Sequence, residues 1–321
     1  MSMGSNMHIP KITLTEQITN LLAQQPGLEI AEVRAGDRAE GLPESIRRIS
    51  AFDQRRKEHR LILKSLESGA ADRTYRLYTQ YLEPFHLHSP KMYGVIDLEG
   101  QRCLVMDEIR HTPAGWDDGG SYLRAVDWLI QKDRITLQNL AAVQRLDCLG
   151  EMEYYGAAYW LAIFEKWQQD APESRQAQAV WECVHANHTK IDETIRELGE
   201  VGAQTVVHGD LHLGNILFAG TENGAGLYVI DWTQPHISSV TKDLASLYDN
   251  APQQVKREII DTYRRQIDFP GFDAQFSNAR LLRDIGYCAW MAETISGGQP
   301  GEIDPAELTR VVESLLLALE S

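Results

Sequence analysis

No stretch of this chain approaches the ~20 consecutive apolar residues that a membrane-spanning helix needs, so helical integral membrane proteins are set aside. The opening residues, MSMGSNMHIP, hold no basic segment followed by an apolar core, so a secretory signal is not expected. Cysteine is scarce: Cys103, Cys148, Cys183 and Cys288 are far apart, with no Cys-x-x-Cys pair, and read as reduced, buried thiols. These absences together point to cytoplasmic residence. Cys183, His185 and His188 imitate a metal cluster, but within one helical run, Ala171–Leu198, they face different ways, so no structural zinc is expected. Basic charge is also in deficit. With 31 Lys and Arg against 46 Asp and Glu the net charge is −15, which argues against nucleic acid and suits a cationic ligand. The basic concentration Arg47, Arg48, Arg55, Arg56, Lys57 and Arg60 reads as a solvated face of two strands and their turn. Walker Gly-Lys, dinucleotide Gly-x-Gly-x-x-Gly and Gly-x-Ser-x-Gly motifs are missing, as are repeats and low-complexity tracts.

What remains is a chain of 321 residues with 43% hydrophobic content, enough for two lobes each with its own core. Up to about residue 108 short strands dominate, after a helix near Thr13–Gln25 that Pro26-Gly27 ends. The turn-rich segment HTPAGWDDGG, His111–Gly120, then leads into helices. These are expected near Tyr122–Gln131, Thr136–Leu146, Tyr154–Gln169, Ala171–Leu198, Thr241–Tyr248, Val255–Gln266, Phe276–Thr294 and Pro305–Glu320.

One interruption of the helical part carries chemistry. His208–Leu217, HGDLHLGNIL, runs into an apolar strand, Ile216–Phe218, and a second strand, Leu227–Ile230, delivers Asp231. Asn223–Gly224 and Gly226 mark a hairpin turn between them, which brings Asn215 and Asp231 back to one end. Magnesium takes hard oxygen ligands from one or two carboxylates together with substrate phosphates. Asn215 and Asp231 suit that task, leaving Asp210 to orient an attacking hydroxyl and accept its proton. Asp-x-x-x-x-Asn followed by a hairpin and Asp is the arrangement that phosphoryl transfer from a magnesium nucleotide uses in protein kinases. His208 reads as an anchor of the loop backbone, and His212 as a loop residue.

On these residues the chain resembles the aminoglycoside phosphotransferase and choline kinase family. That family writes its catalytic loop His-Gly-Asp-x-x-x-x-Asn, follows with Ile-Asp-Trp, here Ile230-Asp231-Trp232, and then Asp-Leu-Ala, here Asp243-Leu244-Ala245. Gly209 stands where protein kinases have Arg, which favours the small-molecule branch. The resemblance implies an α+β, protein-kinase-like fold of two lobes, a small strand-rich N-lobe and a larger, mostly helical C-lobe. The N-lobe would span 1–108 and the C-lobe 109–321, with a hinge at about 104–110. It implies ATP and magnesium as cofactors and a small-molecule hydroxyl acceptor of the aminoglycoside, choline or homoserine kind, possible cations among them.

Upstream residues follow the family in order. Ile46–Phe52 and His59–Lys64 read as strands joined by Asp53–Glu58, and Lys64, closing the second, resembles the family's nucleotide-binding Lys. In CLVMDEI, Cys103–Ile109, the resemblance puts Met106 behind the adenine and offers the Asp107 carbonyl and Ile109 amide to its edge. Leu140-Ala141-Ala142-Val143-Gln144 is similar to a large-lobe helix that ends in His elsewhere. Two positions depart. A helix at about Ala70 to Glu83 has Thr74 where the family has the Glu that pairs with the Lys, and Asp72 is the nearest carboxylate. Ala35–Ser45 has Gly36 and Gly41 but no Gly-x-Gly-x-x-Gly.

Tyr287, Trp290 and Glu293 recur at three-residue spacing on a late helix. They are either ordinary core-facing aromatics or, in a choline-kinase-like site, a cation–π holder for an amine. Two rival functions stay open: a nucleotide-binding scaffold without turnover, supported by the missing helix Glu, and a protein kinase. The latter is weakened by the lack of His-Arg-Asp and Asp-Phe-Gly, and by an Ala171-Pro172-Glu173 that precedes the catalytic loop.

Overall fold

The computed structural model describes residues 13–26, 28–35, 45–67, 69–98, 100–112, 114–149, 156–220, 226–232, 234–299, 301 and 303–320. The segments containing Gly36, Gly41 and Asn223–Gly224 lie outside these residues, as does Tyr154. The chain divides into two compact units: Met1–His111 with Ala219–Tyr228, and Thr112–Phe218 with Val229–Ser321. The fold is α+β and protein-kinase-like, with strands concentrated in the first unit and helices in the second. Among the described residues no helix is long and apolar enough to cross a membrane.

The first unit opens with α1 (Leu14–Ala23), started by a capping box in which the Thr13 hydroxyl accepts from the Glu16 amide while the Glu16 carboxylate accepts from Thr13. An antiparallel sheet follows in the order β1-β2-β3-β5-β4, built from β1 (Ile30–Ala35), β2 (Ile46–Asp53), β3 (Glu58–Leu66), β4 (Met92–Leu98) and β5 (Gln101–Asp107). Alternate side chains of β2 and β3, among them Ile49, Ala51, Leu61 and Leu63, pack with Ile18 and Leu22 of α1 into one core. Lys64 does not close β3; the strand runs two residues further to Leu66, because Ser65 and Leu66 still pair with Cys103 and Arg102 of β5. Helix α2 (Ala70–Leu77) is also shorter than its sequence suggests, and gives way to a π-helical turn, Tyr78–Leu82, that buries Tyr81 and Leu82.

The chain enters the second unit through the short strand β6 (His111–Thr112). Helix α3 (Gly119–Gln138) is a single element of 20 residues where the sequence suggests two. The polar run Gln131-Lys132-Asp133-Arg134 looks like a break, yet Lys132 and Asp133 are fully buried and ion-paired at 3.0 Å, so the helix continues through them. It stops at Asn139, whose side chain donates to the Ile135 carbonyl, and α4 (Leu140–Val143) adds one turn. Next come α5 (Ala157–Asp170), α6 (Arg175–Ala186) and α7 (His188–Glu200). The expected continuous helix 171–198 is thus two. Ser174 starts α6, and Asn187 ends it by donating its side-chain amide and its backbone N–H to the Cys183 carbonyl.

Strands β7 (Gln204–Val207), β8 (Ile216–Ala219), β9 (Gly226–Val229) and β10 (His236–Ser239) come next, then α8 (Thr241–Asn250), α9 (Gln253–Arg264), α10 (Phe272–Ser296) and α11 (Pro305–Glu320). β7 pairs antiparallel with β10, and β6, β8 and β9 share a second small sheet. The helical core is centred on α10, whose Leu282, Ile285, Cys288 and Ala289 share one cluster with Phe164 and Trp167 of α5, Val184 of α6 and Leu315 of α11. The cysteines are all free, three of them buried.

Candidate active site

β7 carries the chain from the interior to His208, and the loop beyond that residue is held from below by a buried ion network. The Asp243 carboxylate, near the start of α8, accepts from the backbone N–H of His208 at 2.8 Å and of Gly209 at 3.2 Å. Lys132 Nζ donates to that same carboxylate at 3.1 Å and to the Val206 carbonyl at 2.6 Å. Burial opposes the Asp243 charge, but Lys132 and the His208 contacts outweigh it and keep the carboxyl below its ordinary range. Asp133 accepts from Thr205 and Tyr263, which completes the network between α3, β7 and α9. These bonds give Asp243 a structural task.

His208 is fully buried and ties two strands of the site together. Its Nε2 lies 2.8 Å from the Ile230 carbonyl and its Nδ1 accepts the Asp210 N–H at 3.2 Å, which assigns the proton to Nε2. Burial disfavours a charge there, so the ring is held neutral and acts as a strut. Trp232, also buried, packs its ring 4.7 Å from that of His208 and donates Nε1 to Val229. Gly209 sits at φ 89, where an L side chain is strained, and a Cβ there would stand 2.9 Å from the Gln234 carbonyl oxygen. An Arg cannot occupy that place without moving the loop.

Asp210 emerges with an exposed carboxylate. Asn215, at the end of a 3-10 turn (Leu213–Asn215), is 8% exposed and donates Nδ2 to the Asp210 carbonyl at 2.9 Å, with the Asp210 carboxylate 3.4 Å away. The Ile230 N–H donates to the Asn215 carbonyl at 3.0 Å, which sets Asp231 directly beyond Asn215 in space. Asp231 is one of three non-glycine residues with positive φ among the described ones, at 65, a strained conformation found where a side chain must be aimed.

Two further residues belong here, His212, expected only as a loop residue, and Trp116, to which the sequence assigned no part. His212 has Nε2 3.6 Å from the Asp210 carboxylate and 3.3 Å from Asn215 Nδ2, and its Nδ1 accepts the Gly214 N–H at 3.0 Å. Hydrogen bonding to His212, with a smaller contribution from Asn215, holds the Asp210 carboxyl below its usual range against partial burial. Trp116 stacks on His212 with centroids 5.9 Å apart. Neither residue has a spacing pattern that marks it; the fold brings His212 to Asp210 and Trp116 to His212.

Asn215 and Asp231 fit a divalent cation by the chemistry of their donors. The Asn215 amide uses its N–H side within the loop, and Asp231 directly follows Ile230, whose N–H is bonded to the Asn215 carbonyl. Among the described residues no three His, Cys, Asp or Glu side chains gather into a protein-only metal cage. An amide oxygen with one carboxylate is the sparse set that magnesium accepts when substrate phosphates supply the remainder.

In the first unit, Lys64 lies mid-strand opposite Leu104 and Ile46, and Met106 is 8% exposed opposite Ile62 and Met92. The Asp107 carboxylate accepts from the Tyr93 hydroxyl at 2.7 Å, and the Ile109 carbonyl lies 3.0 Å from His111 Nδ1. Between them Glu108 takes Arg48 at 2.6 Å and Arg60 at 2.8 Å, so these two arginines are not merely a solvated face. Asp72 is engaged by Arg102 at 2.5 Å, and Thr74 is buried. On α10 the Tyr287 and Trp290 rings lie parallel, 5.6 Å apart; Tyr287 packs on the helical core while Trp290 is 49% exposed, and Glu293 is exposed.

The model of the phosphotransferase enzyme family matches residues 52–274, more than half of the chain, and the chain belongs to that family. No curated protein sequence matches it. Among solved structures, the chain is similar to an amicoumacin kinase, hAmiN, in complex with AMP-PNP, Ca2+ and Ami, at 14% identity and TM-score 0.60, with 90% of each chain covered. It is also similar to the GDP complex of aminoglycoside 2'-phosphotransferase-IIIa, at 14% identity and TM-score 0.57, covering 94% of this chain and 97% of that one. A third is the Plasmodium vivax ethanolamine kinase, at 12% identity and TM-score 0.56, covering 90% of this chain and 82% of that one. At such identities the likeness is one of fold.

Proposed function

We propose that this protein is an ATP- and magnesium-dependent phosphotransferase acting on a hydroxyl group of a small molecule. The observation that carries the reading is the bond from Asn215 to Asp210, which joins a candidate base to a candidate metal ligand in one rigid loop. In this reading Asp210, ionised and exposed, orients the acceptor hydroxyl for in-line attack and takes its proton as the bond from that oxygen to the γ-phosphorus forms and the bond to the bridging oxygen breaks, releasing ADP. Asn215 and Asp231 would hold the magnesium, which when bound neutralises phosphate charge. His208, Gly209 and Asp243 keep the base in place and touch no substrate.

We assign the nucleotide to the strand-rich residues up to about 108 and the acceptor chemistry to the rest, with the hinge at 104–110. Lys64 would bind phosphate as a point charge, Met106 would back the adenine, and the Asp107 carbonyl and Ile109 amide would take its edge. The complexes of the similar kinases with AMP-PNP, Ca2+ and GDP support nucleotide and divalent metal use here. The acceptor reading spans aminoglycoside-, choline- and homoserine-like alcohols.

One observation favours a second reading, a nucleotide-binding scaffold without turnover: the carboxylate nearest the expected partner position on α2, Asp72, is engaged by Arg102. Titration calorimetry of ATP with and without magnesium, on the wild type and Asp231→Asn, tests the metal assignment. Magnesium should strengthen ATP binding in the wild type and much less in the variant. Equal enhancement in both would remove Asp231 from the site.

A further inference from the structure

Side chains along a strand alternate between the two faces of a sheet. In the first unit Ile49, Leu61, Leu63 and Val105 face the α1 core, so Arg48, Ile62, Lys64 and Met106 occupy the opposite face. Ile62 pairs with Arg48 on one side and with Met106 on the other, which sets these three in one row across β2, β3 and β5. Arg48 does not stay on its own strand. Its Nε lies 2.6 Å from the carboxylate of Glu108, the residue after β5, whose N–H donates to the Arg60 carbonyl at 2.9 Å. β3 separates β2 from β5, and two strand spacings amount to roughly 10 Å. To close that span Arg48 and Glu108 must extend toward each other along the sheet face, over β3.

The Glu108 side chain is 11% exposed and that of Arg48 45%, so the carboxylate is covered while the arginine stays half open. Arg60 takes the second Glu108 oxygen at 2.8 Å, and among the described residues no other carboxylate bonds either arginine. Two guanidiniums thus share one negative charge. A tether alone would be redundant here, since β2, β3 and β5 are already joined by continuous ladders. What the bond to Glu108 adds is an arginine fixed in advance on the face that carries Lys64 and Met106, which spares the ordering cost of a long side chain on binding. A guanidinium is planar and stacks on aromatic faces, nucleobases among them.

We propose that Arg48 is a nucleobase-stacking residue, its guanidinium, held by Glu108, lying against the face of the purine. This rests on the nucleotide reading above: with Met106 behind the adenine and Asp107 and Ile109 at its edge, the base lies beside Ile62 and Glu108, where Arg48 reaches. The test uses the full chain, 15N-labelled at arginine, with the Arg48 Hε resonance identified as the one absent from Arg48→Lys. Calorimetry with magnesium ADP first establishes binding. On saturation with ADP the Arg48 Hε resonance should move upfield in the ring current of the base, and inorganic tripolyphosphate, which has no base, should leave it in place. Arg48→Lys, which keeps a charge beside Glu108 but not the plane, should bind ADP about tenfold more weakly. ADP that binds without moving the resonance, an equal shift with tripolyphosphate, or unchanged ADP affinity in the variant would overturn the assignment and leave the nucleotide reading intact. A wild type that binds no ADP loses that reading, and the stacking role with it.

Discussion

The Asp243 carboxylate accepts the His208 backbone N–H at 2.8 Å while Lys132, fully buried on α3, donates to the same carboxylate at 3.1 Å. The position of the catalytic loop is thus set by a charge pair that water does not reach. Removing one partner of such a pair leaves the other charge buried without compensation.

Lys132→Met is therefore expected to cost about 3–5 kcal/mol of stability, the usual penalty for an orphaned buried charge. Urea unfolding followed by circular dichroism measures it. Replacing Asp243 by Leu in the same chain should not restore the stability, since Asp133 stays buried without its cation and the His208 and Gly209 N–H groups lose their acceptor. A cost below about 1 kcal/mol for Lys132→Met would mean that the network does not carry the loop.

Gly209→Ala is expected to destabilise by roughly 1–3 kcal/mol, the cost of a residue in a sparsely allowed conformation, because φ is 89 and the new Cβ meets the Gln234 carbonyl at 2.9 Å. Phosphotransfer should fall as well, since Asp210 is the next residue. Full activity and an unchanged unfolding midpoint would contradict the close approach.

His236 supplies an acid-side test. Burial, and then the neighbouring Lys242 charge, push it from 6.5 down to about 3. Its Nδ1 lies 2.8 Å from the Gln234 carbonyl and its Nε2 2.8 Å from Lys242 Nζ, an arrangement for a neutral ring that donates from Nδ1 and accepts at Nε2. Between pH 6.5 and 3 the unfolded chain takes up a proton that the folded chain refuses. Stability contributed by the neutral ring is complete above 6.5 and is lost as pH falls to 3, on the order of 4 kcal/mol in all. Unfolding free energies of the wild type should drop more steeply over this range than those of His236→Gln. Parallel curves would remove His236 as the cause.

Glu108 joins Arg48 of β2 and Arg60 of β3 to the residue between Asp107 and Ile109. If that segment holds the adenine, Glu108→Ala should raise the KM for ATP several-fold, about 1 kcal/mol of binding, with a smaller change in kcat. Initial-rate kinetics with varied ATP decide this; a change in kcat alone would place the effect elsewhere.

The sequence and the structure agree where a physical signal is local. Pro305–Glu320 is a helix at the expected residues, and the strands that flank the loop 208–215 and those on either side of Asp53–Glu58 could be read from apolar runs. The disagreements arise where tertiary contacts override a local signal. Lys132 and Asp133 look like a polar break in a helix, but their charges cancel inside the protein. Asn187 breaks a run that periodicity alone continues, through a bond to a carbonyl four residues earlier. His212 and Trp116 lie far apart in the chain, and no spacing rule connects them. Their stack forms where α3 and the turn Leu213–Asn215 come into contact.

The most direct test of the proposed chemistry is ADP formation from magnesium ATP in the presence of a panel of small alcohols, comparing the wild type with Asp210→Asn at matched folded content. Loss of a base that also orients the nucleophile should lower the acceptor-dependent rate by about 100-fold or more, while ATP binding by calorimetry persists. An acceptor-dependent rate that is the same in both proteins, or no alcohol that stimulates the wild type, would contradict it.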